Sequence, residues 1–296
     1  MDQAYRLRDI IKNKNKEDLE AASKKTSTRI ISIASGKGGV GKTNLAVNLA
    51  IQMSRHNQRV LIIDCDLGLA NIEVLLGQTP TYTFADMLLG GKKIQEIITN
   101  GPMGIKFISG GSGLVEMANL TEQQIISVID NFKYIDDIAD IILLDTSAGI
   151  SKAVISFIRS SSEAIIITTP EPTAVTDAYA LLKAVNEYQQ DTTEFSIVVN
   201  RVEDTSEGAE IYERLNKVSE KFLSKQLTCL GYIPNDINLI KAVRRQEPVS
   251  IRFPNATSAR AIDNIGIKIL NMTPEKRKTH NSIISFVRRL TGIFSN

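Results

Sequence analysis

An α/β fold is predicted for this 296-residue chain: a doubly wound, mostly parallel β-sheet with helices on both faces. Three features point to it. Seven short runs are apolar throughout rather than alternating, as strands covered on both faces should be. Helix-length segments separate most of them, and repeated β–α alternation implies right-handed crossovers within one sheet. A glycine-rich loop, SGKGGVGKT at 35–43, lies between the first run and the first helical segment.

In order, the runs are RIISIA (29–34), RVLIID (59–64), GIKFIS (104–109), DIILLD (140–145), EAIIITT (163–169), FSIVVN (195–200) and CLGYIP (229–234). The helical segments between them are 42–55, 121–135, 151–160, 174–189, 206–223 and 235–244. One domain is therefore expected over 29–272. Residues 1–28, a polar helical arm with a linker, precede it, and 273–296, a charged linker with a short apolar segment, follow it. Residues 1–28 carry net +2 and 272–296 net +4, which leaves the stretch between at net −4 and assigns the positive excess to the two ends.

Only two cysteines occur, Cys65 and Cys229, far apart in sequence. That is neither a disulfide framework nor metal-ligand spacing, and it suits a reducing cytoplasm. The start of the chain is too polar for a signal peptide, and no apolar run approaches the ~20 residues of a spanning helix. The expected location is cytoplasmic, with at most reversible attachment to the inner face of a membrane.

GKGGVGKT fits G-x-x-x-x-G-K-[ST] in the strand–loop–helix context that gives this motif its meaning. Backbone N–H groups across Gly36, Lys37, Gly38, Gly39, Val40, Gly41, Lys42, Thr43 and Asn44 can curl around phosphate oxygens at a helix N-terminus. Lys42 is expected to reach the β- and γ-phosphates, and the Thr43 hydroxyl to bind Mg²⁺. Phosphoryl chemistry also needs carboxylates near the metal and the attacking water. Asp64 and Asp66, two apart at a strand end, can project from one side of it, and Asp145 ends another buried strand. The ligand expected is a nucleotide with Mg²⁺, and the family resemblance described next implies ATP and its product ADP.

A second lysine, Lys37, follows the first glycine. The set Lys37, Gly38, Gly39, Gly41, Lys42 and Thr43 resembles the deviant Walker A motif of the MinD/ParA class of P-loop ATPases. The resemblance implies that Lys37 reaches the nucleotide of a facing subunit, so that hydrolysis requires an ATP-dependent homodimer. A cation supplied in trans would complete charge neutralisation, as arginine fingers do. It further implies that Asp66 positions the attacking water, that Asp64 lies near the metal, and that DTSAG (145–149) is a switch segment with Ser147 in place of proline. Asn200, followed by Arg201, corresponds to an adenine-reading asparagine, and GYIPND (231–236), with Pro234 and Asn235, resembles the loop covering the base.

At the C-terminus, Ile283, Phe286, Val287, Leu290, Ile293 and Phe294 form one apolar helical stripe, with Arg288, Arg289 and the basic 276–278 cluster beside it. Such a helix suits an anionic lipid surface, or docking on the core, or a dimer contact. At the N-terminus, DQAYRLR (2–8) resembles the D-Q-A-x-x-L-R motif of the FlhG family of MinD-like flagellar regulators, and TTPEPTAVTDAYALLK (168–183) is also similar to that family. This implies that Asp2, Gln3, Ala4, Leu7 and Arg8 contact an FlhF-type GTPase, with Gln3 orienting a water there, and that flagellar C-ring switch proteins are further partners. The rival classes are a ParA-type DNA-partitioning ATPase, a division-site MinD and a metabolic enzyme on the same scaffold. The net negative centre of the chain argues against nucleic acid, and the cysteine pattern argues against an iron–sulfur reductase.

Overall fold

The computed structural model describes residues 28–66, 71–110, 128, 130–188, 193–272 and 283–294. All seven apolar runs become strands, joined by one short addition: β1 (Arg29–Ser35), β2 (Val60–Cys65), β3 (Thr99–Asn100), β4 (Lys106–Ile108), β5 (Ile141–Ala148), β6 (Glu163–Thr168), β7 (Glu194–Val202) and β8 (Thr228–Pro234). They form one sheet in the order β3-β4-β2-β5-β1-β6-β7-β8. All pairings are parallel except that of β3 with β4. With two residues, β3 is too short to show a strand pattern in sequence.

The helices are α1 (Lys42–Arg55), α2 (Asn71–Leu76), α3 (Phe84–Gly90), α4 (Ile94–Ile97), α5 (Ile135–Ile138), α6 (Lys152–Ser160), α7 (Pro172–Asn186), α8 (Thr205–Leu223), α9 (Ile237–Arg244), α10 (Val249–Arg252), α11 (Thr257–Asn271) and α12 (Ile283–Phe294). The first matches its expected limits residue for residue. The start of α7 lies two residues earlier than expected because Pro172, which cannot donate in any case, fits the first helical position. The expected helix at 121–135 falls mostly outside the described residues; within them, 128 and 130–132 are helical. Missing from the sequence reading was α11, although Ala259, Ile262, Ile265, Gly266 and Ile269 recur at helical spacing and are all buried.

Both faces of the sheet are apolar, and successive residues alternate between them. On β2, Val60 and Ile62 join a core beneath α1 and α11, whereas Leu61, Ile63 and Cys65 join the core on the opposite face. The same division holds on β5, with Ile141 and Leu143 against Ile142 and Leu144. At the start of β1 the Arg29 guanidinium makes a two-pronged contact with Glu163 (2.9 and 2.7 Å) and donates to the Ile269 carbonyl (3.0 Å). That ties two strands to the end of α11.

The C-terminal stripe is seated on this sheet. Ile283, Phe286, Val287 and Leu290 are at most 3% exposed, and α12 packs on α6 beside Phe84, Phe132 and Phe157. Of Ile293 and Phe294 only the helical backbone is described. No helix among the described residues is long and apolar enough to cross a membrane. The candidate partner residues Asp2, Gln3, Ala4, Leu7 and Arg8 lie outside the described residues, as does the 273–282 linker.

Candidate functional site

The carboxyl ends of β1, β2 and β5 meet at one edge, where a doubly wound sheet binds its ligands. Register makes Asp64 the lateral neighbour of Asp145, and Ile33 of β1 the neighbour of Asp145 on its other side. From the end of β1 the chain enters the glycine-rich loop and then α1. Two glycines in that loop are required by close approach. A Cβ at Gly36 would lie 2.0 Å from the Asp177 carbonyl oxygen on α7. At Gly41, the residue preceding α1, φ is +101°, and a Cβ would lie 2.5 Å from the Asn200 Nδ2.

Asn200 has a structural role that the sequence reading did not give it. Buried at the end of β7, it donates from Nδ2 to the Val40 carbonyl (2.7 Å) and accepts from the Arg201 N–H (2.9 Å). Arg201 in turn donates to the Gly39 carbonyl (2.8 Å) from a backbone held at φ +60°. Two of the loop's carbonyls are thus held by side chains from β7, which fixes the loop backbone. Pro234 closes β8, and the Asn235 N–H donates to Val202. Asp236, the last residue of GYIPND and given no role of its own in the sequence reading, accepts from Asn238, Thr257 and Ser258 and so joins α9 to α11.

The two loop lysines point to different surroundings. Lys42 donates to the Ser35 hydroxyl (3.0 Å); burial lowers its pKa, and the charges of Asp145 and Asp66 pull it partly back. Lys37 leaves this cluster and pairs on the surface with Glu171 (2.7 Å) and Thr173 (2.8 Å) at the start of α7. Ser35, Glu171 and Thr173 had not been singled out from sequence; the last two lie more than 130 positions from Lys37.

The three aspartates divide the remaining work. Asp64 accepts from the N–H groups of Asp66 (3.0 Å), Asn71 (3.0 Å) and Ile72 (3.3 Å), buckling the start of α2 to the strand end. Burial nevertheless pushes its pKa up to about 6. Asp66 accepts from the Asn71 amide at 3.2 Å. Asp145 is 1% exposed, and neither of its carboxylate oxygens receives a hydrogen bond. Burial, and then the Asp64 charge, push its pKa up to about 7, with the Thr43 hydroxyl and Lys42 opposing the shift. A buried carboxylate beside the Thr43 hydroxyl, with no hydrogen bond within 3.5 Å, fits a divalent cation. Among the described residues no group of three or more His, Cys, Asp or Glu side chains forms a ready metal cage. Mg²⁺ binds through one or two protein oxygens, phosphates and water, a demand that Thr43 and Asp145 can meet.

Known proteins are similar to this chain in sequence and fold. The ParA family profile, described as "NUBPL iron-transfer P-loop NTPase", matches residues 26–270. The antiactivator FleN of Pseudomonas aeruginosa is 37% identical over 88% of this chain and 93% of its own. The flagellum site-determining protein YlxH of Helicobacter pylori is 34% identical over 89% and 88% respectively. Among solved structures, the cell division ATPase MinD of Pyrococcus furiosus superposes with a TM-score of 0.65 at 25% identity, covering 83% of this chain and 99% of that one. MinD of Pyrococcus horikoshii, complexed with Mg-ADP, gives the same TM-score and identity over 82% and 96%.

Proposed function

The chain belongs to the ParA/MinD family of P-loop ATPases, on the branch that includes FleN and YlxH, and from that premise we propose that it is a dimerising ATP switch controlling flagellar number or placement. The observation that carries the proposal is the opposed setting of the two loop lysines. Lys42 is turned inward toward the carboxylates, while Lys37 stands at the rim, 37% exposed and paired with Glu171 at the surface, where a second subunit could reach it.

Two subunits facing each other would each contribute Lys37 to the other's triphosphate. Loop N–H groups and Lys42 hold the phosphates, and Asp66 orients a water in line with the bond to be broken. Thr43, with Asp145 nearby, would hold Mg²⁺, which would supply charge neutralisation at the phosphates. Water adds to the γ-phosphorus as its bond to the bridging oxygen breaks, giving ADP and phosphate. Lys37 and Lys42 stabilise the negative charge spread over the transferring group.

On this reading the pairing state controls two outputs. The α12 stripe leaves its seat to join anionic lipid, which its basic flanks favour, and the N-terminal motif stimulates an FlhF-type GTPase while other surfaces meet flagellar C-ring proteins. Sedimentation with ATP and with ADP, together with turnover by Lys37→Ala and Asp66→Ala, tests the switch. Both variants are expected to lose turnover, and wild type is expected to pair only with ATP. Normal hydrolysis and pairing by Lys37→Ala would contradict the proposal. Liposome flotation tests the lipid output, and FlhF GTP turnover with a peptide of residues 1–20 tests the partner output.

A further inference from the structure

We infer that the cleft at the far end of α1 is a second ligand site, taking a phosphate group carried by a small soluble molecule. It opens where the last turn of α1 meets the loop before α11, with a volume of about 200 Å³. Gln52, Arg55 and His56 line it from the end of α1, Pro254 from the loop, and Arg260 and Asp263 from α11. Because α1 runs from Lys42 to Arg55, its helical rise puts the cleft about 20 Å from the phosphate loop. The inference is independent of the switch reading.

The positive charges of the cleft are fixed in place and unmatched. Arg55 donates to the Ser250 carbonyl (2.8 Å) and to Gln52 Oε1 (3.1 Å), both uncharged acceptors. Those acceptors are held in turn. The Ser250 N–H donates to Asn48 Oδ1 (2.9 Å), and Gln52, 3% exposed, donates from Nε2 to the Ala259 carbonyl (3.2 Å). Arg260 makes no side-chain hydrogen bond or ion pair among the described residues. Asp263, the one carboxylate lining the cleft, is already engaged by His56 Nε2 at 2.8 Å. Two guanidinium groups are therefore left without a counter-charge.

Guanidinium forks match the oxygens of a phosphate group. The opening far exceeds the ~10–15 Å³ that one water needs, yet falls below the ~300–1,000 Å³ typical of pockets for drug-sized ligands. That size suits inorganic phosphate or a short phosphate ester rather than a second nucleotide. The α12 stripe, the segment with lipid chemistry, belongs to the opposite face of the sheet from α1 and α11, which favours a soluble source over a lipid headgroup.

The test is calorimetric titration of the full chain, saturated with Mg²⁺–ADP, with inorganic phosphate and, separately, glycerol 3-phosphate. Wild type is expected to bind at least one of them. Arg260→Glu should weaken that binding about 10-fold or more, the scale of a lost charge-assisted contact, and Arg260→Lys should keep part of it. Both variants are expected to retain the wild-type melting temperature and ADP affinity, a split that a merely structural role would not produce. Lys42→Ala is the reverse control and should leave the binding intact. Binding lost in Lys42→Ala but kept in Arg260→Glu would assign the anion to the phosphate loop and overturn the inference. No binding of either probe by wild type would overturn it equally. If neither probe binds while Arg260→Glu weakens flotation with phosphatidylglycerol vesicles, the cleft belongs to a lipid headgroup and the soluble ligand is ruled out.

Discussion

The nucleotide corner and the seat of α12 are separated by one residue of β2, yet they are built in opposite ways. Asp64 faces the corner; Cys65, next in the chain, faces the seat. The corner is electrostatically incomplete, with a desolvated lysine and a buried carboxylate that accepts no hydrogen bond. The seat is closed: four stripe residues are at most 3% exposed, and the void beneath Phe286 and Leu290 measures only about 10 Å³. A ligand can relieve the first region, because Mg²⁺ and phosphates supply the charges it lacks. The second gains nothing from opening unless another apolar phase takes up its stripe.

The largest effect is expected at the seat. Phe286→Ala removes a 3% exposed aromatic, a change that typically costs about 3–5 kcal/mol. Loss of hydrogen-exchange protection over 283–290, with the sheet still protected, is the expected result. Simultaneous loss across the sheet would break the comparison by showing that seat and domain melt as one unit.

Lys42→Ala is expected to lower kcat/KM for ATP by about 100-fold or more, the scale of removing one preorganised donor to transferring charge. A rate within about threefold of wild type would move the chemistry elsewhere. Gly41→Ala should destabilise the ATP-free protein by about 1–3 kcal/mol, since a side chain there meets a left-handed backbone as well as Asn200. Pairing it with Asn200→Ala should recover part of that loss, and no recovery would show that φ alone is responsible.

The smallest effect is the pH dependence of the ligand-free protein. Asp64 and Asp145 have folded-state values of about 6 and 7 against an ordinary 3.8. Between about pH 4 and 7 the folded state therefore holds protons that the unfolded chain has released, and stability falls as pH rises through that window. The melting temperature should drop by a few degrees from pH 5 to 7.5, with Asp145→Asn flattening the slope. Saturating Mg²⁺–ATP should reverse the trend, because the metal favours the ionised carboxylates. A ligand-free protein that gains stability over the same range would contradict the proposed incompleteness of the corner.

The two regions also differed in how far they could be read from sequence. Strands such as RIISIA and DIILLD announced themselves because burial on both faces leaves a continuous apolar run. The phosphate loop was equally plain, since a contiguous motif carries it, although the room that Gly36 and Gly41 leave for Asp177 and Asn200 was not visible. What escaped was set by distant contacts: Glu171 and Thr173 against Lys37, Asp236 bridging to Ser258, and Asn200 holding Val40. The C-terminal stripe was legible as a stripe, but amphipathicity says only that one face needs cover, not whether lipid or protein provides it. Its docked place beside α6 depends on aromatic partners more than 100 residues away, Phe157 among them.

The reciprocal lysine is tested most directly by mixing two inactive chains. Lys37→Ala keeps Asp66 and Lys42 but cannot complete its partner, whereas Asp66→Ala cannot orient water but still offers Lys37. If Lys37 acts across the interface, the mixture regains ATP turnover, because each mixed dimer holds one site with all three residues. A mixture no more active than its separate components would contradict the account.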